Sequence, residues 1–227
     1  MNKIFFSFLL FVFATSALFS QETKDAGLWA TFSIEKKLNK KFSFVFVEEY
    51  RARENFSRTN LFYSQPGIAY KPYDFLKITL SYRSIEKSLK DNSISFRHRL
   101  MLDISVKKKF GKLGLSFRER IQAENRNVLS SANGRVPEWY SRNKFELKYD
   151  IDKPITPYVA IELRYQINNP RALESNKMWS RNRYTLGLDY KRNDRSSFGL
   201  YYLIQQEYNV SAPQDLFIVG IEYALSL

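Results

Sequence analysis

The residue types that carry covalent or metal chemistry are nearly missing from this sequence. It contains one histidine, His98, and no cysteine. His98 falls between Phe96 and Leu100 in a stretch where polar and apolar residues alternate, so it is predicted on the apolar face. A serine nucleophile needs its histidine base inside the site, and zinc needs several converging ligands. We therefore expect no enzyme activity, no metal and no cofactor.

Charged residues are the other candidates for a functional site. They recur at every second position of many segments. Because successive strand residues point to opposite faces, adjacent pairs such as Glu48 and Glu49 cannot act as a dyad. Alternate positions share one face, and twelve charged residues are the leading candidates for it: Glu49, Arg51, Arg83, Arg97, Arg99, Asp103, Arg118, Arg120, Glu162, Arg164, Arg181 and Arg183. Six further residues are assigned to the same face: Lys77, Lys144, Glu146, Asp189, Glu207 and Glu222.

Alternation with a period of two dominates the chain and predicts strands. Eleven segments show it: 26–36, 41–53, 60–71, 75–85, 94–106, 112–122, 139–149, 155–167, 178–190, 197–207 and 215–227. Each has the length with which a tilted strand crosses a bilayer. The connections alternate between short and long, with Lys107–Gly111 among the short ones and Ala123–Glu138 the longest. This pattern predicts an all-β, antiparallel up-and-down transmembrane β-barrel of about 10–12 strands.

The first twenty residues have the layout of a cleaved signal peptide. Lys3 precedes an uncharged apolar run, which is followed by small residues up to Ser20. We therefore assign 1–20 to the signal and 21–227 to a single barrel domain, exported to the outer membrane of a Gram-negative bacterium. Its partners would be outer-membrane lipid and the barrel assembly machinery, which recognises an apolar terminal strand such as the one ending at Leu227.

Single-chain bacterial barrels normally have an even number of strands. The connection pattern, however, makes segment 26–36 begin on the long-loop side. The sequence therefore leaves the strand number open between ten and twelve, and we favour twelve. Aromatic residues near segment ends predict interfacial girdles: Trp29, Tyr50, Tyr63, Tyr70, Tyr73, Tyr82, Trp139, Tyr140, Tyr149, Trp179, Tyr190 and Tyr223.

The formal net charge of +13 has to be explained by where the charges lie. An Arg or Lys facing lipid at mid-membrane costs about 2–4 kcal/mol, so a membrane barrel must turn these residues inward. Arginine is dispersed over many strands, and the chain begins with a predicted signal peptide. Both features argue against a protein that binds nucleic acid. The sequence is compatible with a narrow pore that prefers anionic solutes. It is also compatible with a closed structural or interaction barrel, or with a soluble periplasmic barrel, and it leaves the oligomeric state open.

Short pieces spread over the chain resemble one family of uncharacterised bacterial proteins, the domain of unknown function 2490. The pieces are Gly27-Leu28-Trp29, Glu49-Tyr50-Arg51, Tyr82-Arg83, His98-Arg99-Leu100, Phe117-Arg118-Glu119-Arg120, Arg142-Asn143-Lys144, Glu162-Leu163-Arg164-Tyr165 and Arg181-Asn182-Arg183-Tyr184-Thr185-Leu186-Gly187. The resemblance implies an outer-membrane-type barrel with no established activity. It assigns no functional residue to any position of this chain.

Overall fold

The fold is a single closed β-barrel. We describe it from a computed structural model in which residues 24–89, 91–126, 134–170, 178–210 and 213–227 are described; the predicted signal peptide lies outside these residues. Eleven strands are found among them: β1 (Lys24–Lys37), β2 (Phe42–Arg53), β3 (Arg58–Tyr73), β4 (Leu76–Ser88), β5 (Ile94–Phe110), β6 (Leu113–Arg126), β7 (Glu138–Tyr149), β8 (Ile155–Asn168), β9 (Met178–Lys191), β10 (Ser196–Glu207) and β11 (Asp215–Ser226).

Each strand pairs with its sequence neighbours in antiparallel fashion, and β1 pairs with β11 in parallel to close the barrel. The favoured number of twelve strands is wrong, because the described residues form eleven. An up-and-down barrel with an odd strand number can close only if its first and last strands run in the same direction. The parallel pair begins at Lys24 opposite Asp215, which explains why the first segment starts on the long-loop side.

Connections 38–41, 74–75, 111–112, 150–154 and 192–195 form one end of the barrel, the short-turn end, and the others form the long-loop end. Most strands are longer than predicted, and β5 and β6 are extended at their C-terminal ends. β5 continues through Lys107, Lys108 and Lys109, which were predicted in a turn, and β6 continues to Arg126. Charged residues can extend a strand beyond an apolar band because the backbone ladder does not depend on side-chain polarity.

The outer wall is mostly apolar and the inner wall is mixed. On β5, Leu100 is 53% exposed and Leu102 is 42% exposed, whereas Met101 between them is 1% exposed. The same alternation follows every strand, so the predicted assignment of faces is confirmed along β5. Within the described residues, no helix is long and apolar enough to cross a membrane.

Two tyrosine rings lie flat against the inner wall, each over a glycine. A Cβ atom on Gly220 would come within 1.9 Å of the Tyr201 ring, and one on Gly187 within 2.4 Å of Tyr158. Glycine is required at both places because the ring occupies the volume of the missing side chain. These tyrosines join Trp29, Leu203 and Ile218 in a small apolar cluster on the inner wall, formed by β1, β8, β10 and β11.

Candidate functional site

All twelve charged residues singled out by alternation lie on the inner wall of the barrel. Ten of them line a central cavity of about 310 Å³, namely Glu49, Arg51, Arg83, Arg99, Arg118, Arg120, Glu162, Arg164, Arg181 and Arg183. Arg97 lines a larger cavity of about 1080 Å³ at the long-loop end. Asp103 is buried against Arg120. The backbone pleat brings them together, because every one occupies an inward position of its strand.

Four arginines stand side by side on four consecutive strands. Arg120 of β6 is directly opposite Arg142 of β7. Arg142 is opposite Arg164 of β8, and Arg164 is opposite Arg181 of β9. We call Arg120, Arg142, Arg164 and Arg181 the arginine ladder. Like charges directly opposite each other across strands are destabilising, so this arrangement requires compensation.

Carboxylates compensate both ends of the arginine ladder. Asp103 is opposite Arg120 and accepts two hydrogen bonds from it, each 2.6 Å long. At the other end, Glu207 is opposite Arg181 and forms an ion pair with it. The bidentate geometry of the first pair is among the strongest that arginine forms.

Glu162 is the centre of the largest ionic cluster. It lies 2.6 Å from Arg118, 2.5 Å from Arg142 and 3.1 Å from Arg183, and all four side chains belong to different strands. Glu124 plays a similar part nearer the long-loop end, where it pairs with Arg97 and Arg99. Each carboxylate therefore holds several cations, which leaves the inner wall with an excess of positive charge.

Two inner-wall arginines, Arg83 and Arg164, have no ion pair with a carboxylate in the described part of the chain. Arg83 donates to the amide oxygen of Gln65, and its guanidinium carbon lies 3.6 Å from the centre of the Tyr63 ring. Arg164 donates to Ser180 over 3.0 Å and lies 4.9 Å from the centre of the Tyr140 ring. Neutral donors and aromatic rings stabilise these charges without cancelling them.

The two cavities adjoin, since Trp29, Arg51, Arg99, Arg164 and Arg181 line both. Ten Arg and Lys side chains but only three carboxylates, Glu49, Glu162 and Glu222, line the central cavity. At the short-turn end, a third cavity is lined by five lysines and Asp150. Positive charge thus predominates in the lining of the central cavity and of the cavity at the short-turn end.

Asp150 lies in the connection between β7 and β8, at the short-turn end of the barrel. Asp150 accepts a hydrogen bond from Lys109 over 2.8 Å and another from the backbone N–H of Asp152. These bonds hold the pKa of the Asp150 carboxyl below its ordinary value. The connection between β7 and β8 is therefore tied to the end of β5.

Several inner-wall residues were missed or misplaced by the sequence. Arg142 occupies an alternate position of the same strand as Lys144 and Glu146, so alternation is sufficient to predict that it faces inward. The sequence places Glu124 and Glu138 in a loop, because it predicts the end of β6 too early and the start of β7 one residue too late. Three residues assigned to aromatic girdles point inward instead: Trp29, Tyr63 and Tyr140 are 6%, 4% and 5% exposed. Trp29 lies beneath Arg51, whose guanidinium carbon is 3.5 Å from the ring centre.

His98 lies on the outer wall, where its Nδ1 atom and the Tyr82 hydroxyl share a hydrogen bond. It is therefore remote from the charged interior. Among the described residues, no three His, Cys, Asp or Glu side chains are grouped so that they could hold a metal ion.

Comparison with known proteins identifies a structural neighbour and a family. The barrel is similar to a solved chain described as the NanC porin, with a TM-score of 0.50, 13% sequence identity, and coverage of 79% of this chain and 85% of that one. At this identity the similarity shows the fold alone. No curated protein matches the chain. A family model described as protein of unknown function DUF2490 matches residues 26–215. The chain therefore belongs to the DUF2490 family.

Proposed function

We propose that this protein is an outer-membrane pore that prefers anionic solutes. Its outer wall supports the membrane location: Leu80, Leu100, Leu186 and Leu200 are each more than half exposed. An apolar surface of this extent is unstable in water and matches the hydrocarbon layer of a bilayer. The structural similarity to a porin barrel and the signal-like segment 1–20 are consistent with export to the outer membrane of a Gram-negative bacterium.

The arginine ladder carries the proposal of anion preference. Its two inner members, Arg142 and Arg164, face each other across adjacent strands, and only Arg142 has an ion pair in the described residues. Uncompensated charge in a desolvated interior is costly, so Arg164 is best accommodated in a hydrated lumen that admits anions. Arg164 and Arg181 line both cavities, whereas Arg120 and Arg142 line only the central one, so the ladder extends from the centre into the cavity at the long-loop end.

Planar-bilayer recording in a KCl gradient tests this proposal. The wild-type protein should give steps whose reversal potential has the sign of chloride preference. The double variant Arg83→Gln and Arg164→Gln should shift that potential toward zero, because it removes two interior charges that no described carboxylate pairs with. Lys36→Gln and Lys37→Gln, which remove the same charge from an exposed end of β1, are the matched control and should leave selectivity unchanged.

A closed barrel with a structural or interaction role is the second candidate. The clusters around Glu162 and Glu124 favour it, because dense Arg–carboxylate networks can fill the interior of a small barrel. A correctly folded, heat-modifiable protein that gives no conductance steps would support this candidate over the pore. Recovery of the protein in a detergent-free periplasmic fraction would exclude both membrane functions and favour a soluble periplasmic barrel.

A further inference from the structure

A hydrogen-bonded group of polar side chains lies in the middle of the outer wall. Glu119 is at the midpoint of β6, and Ser141 and Asn143 are on β7. Ser141 Oγ donates to Glu119 Oε1 over 2.7 Å, and Asn143 Nδ2 donates to Ser141 Oγ over 3.1 Å. We call these residues the outer polar triad. Its surroundings are apolar: Leu102 and Ile104 on β5 are each 42% exposed and Phe145 on β7 is 48% exposed.

The outer polar triad is incompletely satisfied within one copy of the protein. In the described part of the chain, no group bonds to Glu119 Oε2, and Asn143 keeps one N–H and its carbonyl oxygen without a hydrogen-bond partner. Lipid tails offer neither donors nor acceptors. Polar and ionisable side chains at membrane depth therefore indicate a contact with protein or water rather than with lipid.

A second copy of this chain supplies the missing groups by symmetry. Two copies in one membrane have the same orientation, so a closed two-fold pair must have its axis along the membrane normal. Glu119 and Asn143 are directly opposite each other across β6 and β7. When two such walls face each other, left and right are exchanged. Glu119 of each copy then stands opposite Asn143 of the other, at similar depth.

We infer that the outer polar triad is the centre of a two-fold contact between two copies of this chain. The Asn143 amide of one copy donates to Glu119 of the other, and the reciprocal bond forms at the same time. Leu102, Ile104 and Phe145 surround these bonds with apolar surface that excludes lipid and water. The inference rests on the membrane location proposed above and does not depend on whether the barrel conducts.

The absence of cysteine from the sequence makes cross-linking a clean test. Glu119→Cys and Asn143→Cys chains carrying different tags are co-expressed at full length, and outer-membrane preparations are oxidised. We expect the mixed Glu119→Cys with Asn143→Cys disulfide to form in much higher yield than either same-site disulfide. Leu200→Cys, on the exposed outer face of β10, is the control and should give only background.

Molecular mass in lipid nanodiscs provides a second measurement. The wild-type protein should occur as pairs, and Glu119→Leu with Asn143→Leu should be monomeric while keeping its heat-modifiable migration. Glu48→Leu removes another outer-wall carboxylate, one that accepts from Ser64 over 3.4 Å, and should leave the pairs intact. A monomeric wild-type protein, or cross-linking no better than at Leu200→Cys, would overturn the inference. Absence of the protein from the membrane fraction would instead refute the proposed location.

Discussion

Arg142 and Arg164 lie directly opposite each other on β7 and β8, with both side chains on the inner wall. Their environments differ although their positions are equivalent. Arg142 forms an ion pair with Glu162 and a hydrogen bond of 3.4 Å with Gln122. Arg164 has Ser180 and the Tyr140 ring. One member of this like-charged pair is therefore held by a carboxylate, and the other by a hydroxyl group and an aromatic ring.

Removing Arg164 should reduce anion preference at little cost to stability. Arg164→Gln deletes a charge that repels Arg142 and Arg181, and it leaves no described carboxylate without its partner. We expect an unfolding midpoint equal to or above that of the wild type, with a reversal potential closer to zero. Gel-shift unfolding and bilayer recording on the same preparation measure the two quantities. A strong loss of stability would instead show that the contacts of Arg164 with Ser180 and Tyr140 stabilise the barrel.

Removing Arg120 should have the opposite effect on stability. Arg120→Gln leaves Asp103, which is 8% exposed, without the two hydrogen bonds that compensate its charge. Breaking a buried pair by removing one partner typically costs about 3–5 kcal/mol. Both positions belong to the arginine ladder and lose the same charge, so the contrast isolates ion pairing. Equal unfolding midpoints for Arg120→Gln and Arg164→Gln would contradict the claim that the ion pair of Arg120, and not its charge alone, stabilises the barrel.

Glu162→Gln should be the most damaging single loss of a carboxylate from the interior. It removes the shared negative partner of Arg118, Arg142 and Arg183, so three cations would remain close together. We expect a lower unfolding temperature and, for the fraction that folds, stronger anion preference. Glu222→Gln is the control, because Glu222 has no hydrogen bond or ion pair in the described residues. A Glu162→Gln barrel as stable as the Glu222→Gln barrel would disprove the role of the cluster.

Asp150 should make a small, pH-dependent contribution to the short-turn end. Its pKa is lowered in the folded protein, so its stabilisation is present above the unfolded carboxyl pKa of about 3.9 and is lost as pH falls through the folded value. Asp150→Asn should therefore be slightly less stable than the wild type at pH 7 and equal to it in strong acid. Urea-unfolding midpoints at both pH values measure this. A difference that persists in acid would assign the effect to the turn backbone instead.

Alternation in the sequence is sufficient to predict which face each charged residue occupies, because the strand backbone imposes a period of two. It does not predict which charges meet. The arginine ladder depends on the register of four strands, and β8 carries an irregularity between Arg164 and Tyr165 that shifts its pairing with β9. Similarly, Arg118 reaches Glu162 across β7, a contact between residues far apart in the chain.

The strand number and the aromatic positions were harder to predict for a different reason. Alternation shows eleven segments, but the even strand number of most single-chain bacterial barrels favours ten or twelve. Closure through a parallel β1–β11 pair removes that requirement. Trp29, Tyr63 and Tyr140 were assigned to girdles by residue type and position, whereas parity places them on the inner wall. The alternation of the strand backbone determines the face on which each side chain lies, whatever its residue type. The polar interior accommodates these aromatic rings because they stack on guanidinium groups.

Gly220→Ala should narrow the lumen as well as destabilise the barrel. A Cβ atom at this position overlaps the Tyr201 ring, which would have to leave the wall and turn toward the central cavity that it lines. Overpacking of this kind costs about 1–3 kcal/mol, and the displaced ring should lower single-channel conductance. Adding Tyr201→Ala removes the clash and should restore conductance.

Gly114→Ala is the control, because its Cβ would be 3.7 Å from the nearest atom, on Lys148. If Gly220→Ala conducts like the wild type and unfolds at the same temperature, Tyr201 does not depend on the glycine for its place on the wall.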